Sequence, residues 1–131
     1  MPLPEAFVPQ SDPHRAALLV VDGDPDVLRA LAFMADTRGY DVRRCASVEA
    51  ALRATDQGFA CLIIEQNLPD GRGLDLLREL RARGVRTPAV LMTTNPTATF
   101  LKRAVDAGAP IVEKPLLGEE LFTEIRRLTT V

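Results

Sequence analysis

The stretch CLIIEQNLPDGRG, Cys61 to Gly73, decides the fold. Four apolar residues, Cys61 to Ile64, run straight into a lone carboxylate, Glu65, and then into a loop marked by Pro69, Gly71 and Gly73. An apolar run of that length, closed by turn residues, predicts a strand buried on both faces of a parallel sheet. In open parallel sheets, ligands gather in the crevice beyond the carboxyl ends of the strands. Glu65 therefore stands where a reacting group would stand.

Working outward, the same pattern recurs on both sides. An apolar strand from Ala16 to Val21 ends at Asp22, and Asp24-Pro25 supplies a cap followed by a proline at the first helical position. That helix runs to about Arg38, with Leu28, Leu31, Ala32 and Ala35 facing inward, and Gly39 stops it. Tyr40 to Cys45 is a second strand. Ser47 caps a short helix to about Asp56, with Val48, Ala51 and Leu52 on its apolar face. Beyond the central loop, Leu74, Leu77 and Leu80 mark a helix ending at Gly84. Ala89 to Met92 is the fourth strand, and Asn95-Pro96 repeats the cap-plus-proline signal for a helix through Val105, closed by Gly108. Ile111-Val112 is a short fifth strand. Leu121, Ile125 and Leu128, with Phe122 beside them, mark the last helix. Five strands alternating with five helices predict an α/β fold of right-handed βαβ units, a doubly wound parallel sheet between helical layers.

Length and composition agree with one such domain. A chain of 131 residues buries roughly two-thirds of its unfolded surface. Its 47% hydrophobic and 26% charged residues describe a globular protein, and a net charge of −2 without a long basic block speaks against nucleic acid as a partner. No apolar run approaches the ~20 residues needed to cross a bilayer. The N-terminus lacks a basic and apolar leader, so a cytoplasmic location is expected. Residues 1–15, MPLPEAFVPQSDPHR, with four prolines and the sole histidine, His14, are expected to be a flexible extension ahead of a domain spanning 16–131. Cys45 and Cys61 lie on different strands without a CxxC spacing and are expected to be buried free thiols.

The chemistry collects at the strand ends. Asp22, Glu65, Thr93 with Thr94, and Lys114 all follow a strand, so all open onto one edge of the sheet. Two carboxylates, a hydroxyl and an ammonium suit a metal, a phosphoryl group, or both. Asp24 is assigned to the helix cap; Asp26 and Asp70 are read as helix-start or loop charges.

LLVVDGDPDVLRAL, IIEQNLPDGRGLDLL, PAVLMTTN and AGAPIVEKP, in this order and spacing, resemble the receiver domain of two-component response regulators over about residues 16–129. The resemblance implies a flavodoxin-like (βα)5 three-layer sandwich with strand order 2-1-3-4-5. It also implies a phosphorelay role in which a histidine kinase phosphorylates an aspartate after the third strand. By the same resemblance, an acidic pair after the first strand holds Mg²⁺, a threonine follows the fourth strand, and a lysine precedes a proline, usually cis, after the fifth. Asp22, Thr93, Lys114 and Pro115 match that pattern, and Asn67 lies where a backbone carbonyl would reach the metal.

The departures carry more information than the matches. Glu65 occupies the acceptor position, Gly23 replaces the second acid, Thr94 stands where a small residue is usual, and Ile111 replaces the aromatic switch residue. The segment from Gly108 to Lys114 is one residue shorter than usual. Losing a carboxylate and lengthening another weakens any Mg²⁺ site formed by Asp22, Glu65 and Asn67, since Mg²⁺ demands near-octahedral oxygen geometry. No cofactor is assigned with certainty. Glu65 reaches further into the crevice, where hydrogen bonds from Lys114 and Thr93 are expected.

The expected protein is thus a stand-alone atypical receiver, not an enzyme. It would not be phosphorylated in the ordinary way, and it would act by binding a histidine kinase or another signalling protein. The face made by the fourth helix, fifth strand and fifth helix, with Phe100, Ile111 and Phe122, would support a homodimer. Two alternatives stay open: a receiver that still uses Glu65 as an inefficient acceptor, and a haloacid dehalogenase-type phosphatase, which Asp22-Gly23-Asp24 resembles, with Asp22 as nucleophile.

Overall fold

Successive side chains of a strand point to opposite faces of a sheet, so strands that are apolar throughout must have a core on each side. The computed structural model, which describes residues 15–54, 58–114 and 118–130, has this arrangement. The elements run β1 (Ala17–Val21), α1 (Pro25–Thr37), β2 (Asp41–Cys45), α2 (Val48–Ala54), β3 (Cys61–Glu65), α3 (Gly73–Ala82), β4 (Ala89–Thr93), α4 (Ala98–Asp106), β5 (Ile111–Glu113) and α5 (Glu119–Thr129). The five strands are parallel in the order 2-1-3-4-5.

Leu19, Val21, Leu62, Ile64 and Leu91 point to one face and pack under α2, α3 and α4. Leu18, Val20, Cys61, Ile63, Val90 and Met92 point to the other and pack under α1 and α5. The central strands β3 and β4 are buried at every residue. Each fully buried leucine or isoleucine contributes about 1.5–3 kcal/mol, so α3, with Leu77 and Leu80 completely enclosed, is held mainly by its apolar stripe.

Local signals set most boundaries. The Asp24 side chain accepts from the Asp26 amide and Pro25 opens α1. Gly39, Gly84 and Gly108 stop helices with φ of +87°, +89° and +72°, values that L side chains rarely adopt. Ser47 Oγ accepts from Ala50 N at 3.1 Å, the expected cap of α2.

One boundary is corrected. Helix α4 is capped by Thr97, whose side chain accepts from Phe100 N, and not by Asn95. Asn95 instead turns the chain at φ +50°, so Pro96 precedes the cap and does not open the helix. Ala32 and Leu128 are half-buried at the edges of the helical stripes, outside the fully buried core. His14, Asp56 and Pro115, and with Pro115 the expected cis peptide, lie outside the described residues.

Candidate functional site

Strand register assembles the site. Val21 lies opposite Ile64, Glu65 opposite Met92 and Thr93 opposite Glu113, so the residues at and just beyond the strand ends form one row. Backbone hydrogen bonds carry the ladder past the strands: Asp22 N donates to Cys45 O at 3.0 Å, Gln66 N to Met92 O at 2.8 Å, and Lys114 N to Thr93 O at 2.8 Å. Asp22, Glu65 and Thr93 are the three buried polar side chains of the described residues, at 2%, 5% and 2% exposure.

Lys114 crosses the crevice and bridges both acids. Its Nζ lies 2.7 Å from Asp22 Oδ2 and 2.5 Å from Glu65 Oε1. The remaining carboxylate oxygens are also taken. Asp24 N donates to Asp22 Oδ1 at 2.8 Å, and Asn67 N donates to Glu65 Oε2 at 2.9 Å. Each acid therefore has one oxygen on the ammonium and one on the amide two residues downstream, so each of the four oxygens accepts one hydrogen bond inside the protein. Burial pulls the Lys114 pKa down. Hydrogen bonds to Asp22 and Glu65, together with their two negative charges, outweigh burial and hold it above the ordinary lysine value of 10.5. The cluster carries a formal charge of −1.

The expected hydrogen bond from Thr93 to Glu65 is not formed. Thr93 Oγ1 instead faces the Thr94 carbonyl at 3.5 Å, the outer limit of a hydrogen bond. With Gln66, Asn67, Arg72, Thr97 and Phe100, Thr93 lines an open pocket of about 260 Å³ beside the triad. Thr94 is exposed, and Ile111 is half-buried against the core under α2, α3 and α4. Phe100 and Phe122 are core residues, so neither offers an exposed aromatic surface. Phe122 stacks on Tyr40 at 6.0 Å between centroids and lies under the Arg38 guanidinium at 4.6 Å.

The residues do not fit a Mg²⁺ ion as they are arranged. Mg²⁺ wants hard oxygen donors in near-octahedral geometry, and here it would have to compete with the Lys114 ammonium for the same two carboxylates. Gly23 adds none, and a Cβ at that position would sit 3.0 Å from Pro69 Cδ. Among the described residues, no group of three or more His, Cys, Asp or Glu side chains could hold a metal ion. Asp24, which the phosphatase reading needs as general acid, is committed to capping α1 at 2.9 Å from Asp26 N.

The loop from Gln66 to Arg72 is tied down more firmly than its turn residues suggest. Asn67–Leu68 pairs antiparallel with Gly71–Arg72, and the Arg72 guanidinium binds Asn67 Oδ1. Gln66 Oε1 accepts from Leu74 N at 2.8 Å at the start of α3. A Cβ on Gly73 would lie 2.3 Å from the Glu65 carbonyl oxygen, so this position admits only glycine. Asp70 is an exposed loop charge that also serves a helix start: its two oxygens accept from Val48 N at 2.8 Å and Glu49 N at 3.1 Å at the opening of α2. Those bonds, the one from Val48 foremost, hold its carboxyl below the ordinary value. Sequence reasoning missed this cap because it comes from 22 residues downstream, whereas cap signatures are read within three or four residues. The Pro-Asp-Gly turn was the available signal.

Known proteins share this architecture and sequence. The family model for the response regulator receiver domain matches residues 18–126. The chain is 32% identical over 111 residues to the transcriptional regulatory protein KdpE of Mycobacterium tuberculosis, covering 83% of this chain and 49% of that protein. It is 30% identical over 118 residues to the transcriptional regulatory protein FixJ of Azorhizobium caulinodans, covering 87% and 55%. The chain spans about half the length of the curated relatives it matches. Among solved structures, the non-phosphorylated HemR receiver domain of Leptospira biflexa superposes with a TM-score of 0.82 at 21% identity, covering 89% of this chain and 96% of that one. A CheY-like receiver domain protein from Methanospirillum hungatei gives 0.80 at 22%, covering 86% and 92%.

Proposed function

The chain belongs to the response regulator receiver domain family of two-component signalling, and from that premise we propose that it is an atypical receiver that works by protein–protein interaction without ordinary phosphorylation of Glu65. One observation carries this reading: Lys114 bridges Asp22 and Glu65 while backbone amides take their other oxygens. A carboxylate attacks a phosphoryl donor with a free lone pair, and metal-assisted transfer needs oxygens open to the ion. Here each carboxylate oxygen already accepts one internal hydrogen bond, which competes with both. The lysine supplies the positive charge internally, and the crevice is held in one arrangement by charge-assisted hydrogen bonds.

Two further departures fit the same reading. Ile111 has no aromatic ring to couple to Thr93, and Thr93 faces its own chain at Thr94. Output would come from a fixed surface recognised by a histidine kinase or another signalling protein, or by a second copy through α4, β5 and α5. Glu65 is one charge where a phosphoryl group brings nearly two, so its resemblance to an acyl phosphate is partial. Incubation with acetyl phosphate and Mg²⁺, read by intact-mass spectrometry, is expected to leave the protein unmodified. A stable adduct that disappears in Glu65→Gln would overturn the proposal.

A further inference from the structure

Charge is distributed unevenly along the chain. Between Arg72 and Arg103 there are seven Lys and Arg residues against Asp75 and Glu79, a net of +5; with −2 overall, the remainder carries −7. The excess is not neutralised within the fold. Elsewhere cations are mostly paired: Arg15, Arg29, Arg38, Arg53, Arg127 and Lys114 all have a carboxylate partner. Within the basic segment, Arg83 alone has a carboxylate partner, Glu79. Among the described residues Arg72, Arg78, Arg81, Arg86, Lys102 and Arg103 form no salt bridge.

The fold gathers most of these onto the flank between α3 and α4. Arg78 and Arg81 line a pocket of about 250 Å³ floored by Leu77 and closed on the α4 side by Asp106 and Ala107. Arg103 lies one turn before Asp106 and Ala107 on α4 and so shares their face. Arg86 reaches back to the Arg81 carbonyl at 3.3 Å, and its charge helps depress Arg81, whose own burial depresses it most. Arg81 is held in place by the Val85 and Thr87 carbonyls at 3.0 and 2.7 Å, both through Nη1.

We propose that this α3–α4 flank is a docking surface for an acidic peptide segment of a partner protein, with carboxylates on Arg78, Arg81, Arg86 and Arg103 and one apolar side chain in the pocket between α3 and α4. Charge complementarity selects the occupant. A short acidic segment meets the local +5, whereas a long polyanion such as duplex DNA would also meet the −7 of the rest of the molecule. The pocket's concave shape and the acid Asp106 at its edge suit a peptide side chain better than a row of phosphates. Bidentate arginine–carboxylate geometry would give the contact direction as well as charge. The surface is separate from the Asp22–Glu65–Lys114 triad, so the two proposals stand or fall independently.

The test is fluorescence anisotropy of the full chain with a labelled synthetic peptide of glutamates and two leucines. Parallel titrations use the same peptide with glutamine for glutamate and a labelled duplex DNA. Wild type is expected to bind the acidic peptide at least tenfold more tightly than the glutamine peptide or the DNA, and less tightly as salt rises. Arg78→Glu with Arg103→Glu should lose at least tenfold, whereas Arg43→Glu with Arg44→Glu, on β2, should bind as wild type. All these positions are exposed, and circular dichroism confirms that each variant is folded. Equal binding by wild type and the α3–α4 double variant, equal binding of the glutamine peptide, or preference for DNA would each overturn the proposal.

Discussion

The carboxyl edge of the sheet and the α3–α4 flank treat charge in opposite ways. At the edge, two buried acids share a half-buried lysine and every carboxylate oxygen finds a partner inside the chain. On the flank, Arg78, Arg86 and Arg103 stand exposed without a carboxylate. The difference follows from solvation. A buried charge costs several kcal/mol unless it is paired, so the fold must complete it; an exposed charge is completed by water or by another molecule. The first arrangement fixes a conformation, and the second leaves a surface open.

That contrast can be broken most directly at its tightest point. Lys114→Met leaves Asp22 and Glu65 buried against each other without their cation, and should cost about 3–5 kcal/mol in urea unfolding at neutral pH. The pH dependence sharpens the point. Because the folded-state pKa of Lys114 is raised, its contribution is fully present below the unfolded value near 10.5 and is lost as pH climbs through the higher folded value. Wild type should therefore lose stability in that alkaline range by an amount absent from Lys114→Met.

Gly73→Ala comes next. Its Cβ would fall 2.3 Å from the Glu65 carbonyl oxygen, a backbone atom that cannot swing aside. A loss of about 1–3 kcal/mol is expected from the same unfolding measurement. Glu65→Gln keeps the shape of the site and removes one negative charge, which also relieves its repulsion with Asp22. Roughly 1 kcal/mol is expected for the lost charge-assisted bond. Arg78→Glu with Arg103→Glu should change stability by less than about 0.5 kcal/mol, because neither residue completes anything inside the fold. Comparable losses at the edge and on the flank would erase the distinction.

Much of the architecture was legible because the strands carry two independent signals. CLII and AVLM are apolar at every position, which demands burial on both faces, and each is closed by polar and turn residues at one end. The meeting of Asp22, Glu65 and Lys114 followed from a topological rule, since parallel strands end on a common edge. What escaped were contacts without a local pattern. The Asp70 bonds to Val48 and Glu49 span more than 20 residues. The choice of Thr97 over Asn95 as the α4 cap depended on a left-handed turn that a cap-plus-proline motif does not encode. The direction of the Thr93 hydroxyl was a rotamer choice, set by the space around it and invisible in residue order. Lys114 was expected to meet Glu65; its equal hold on Asp22 depended on distances that only the folded crevice sets.

The two buried thiols also give the molecule a pair of internal clocks. Cys45, at 4% exposure, ends the edge strand β2, which pairs on one side only; Cys61, at 0%, opens β3, which is flanked by β1 and β4. Burial pushes the Cys61 thiol up to about 12, so within the fold it holds its proton and does not react. Alkylation at each sulfur then times a separate event, detachment of the rim at Cys45 and disruption of the sheet's middle at Cys61.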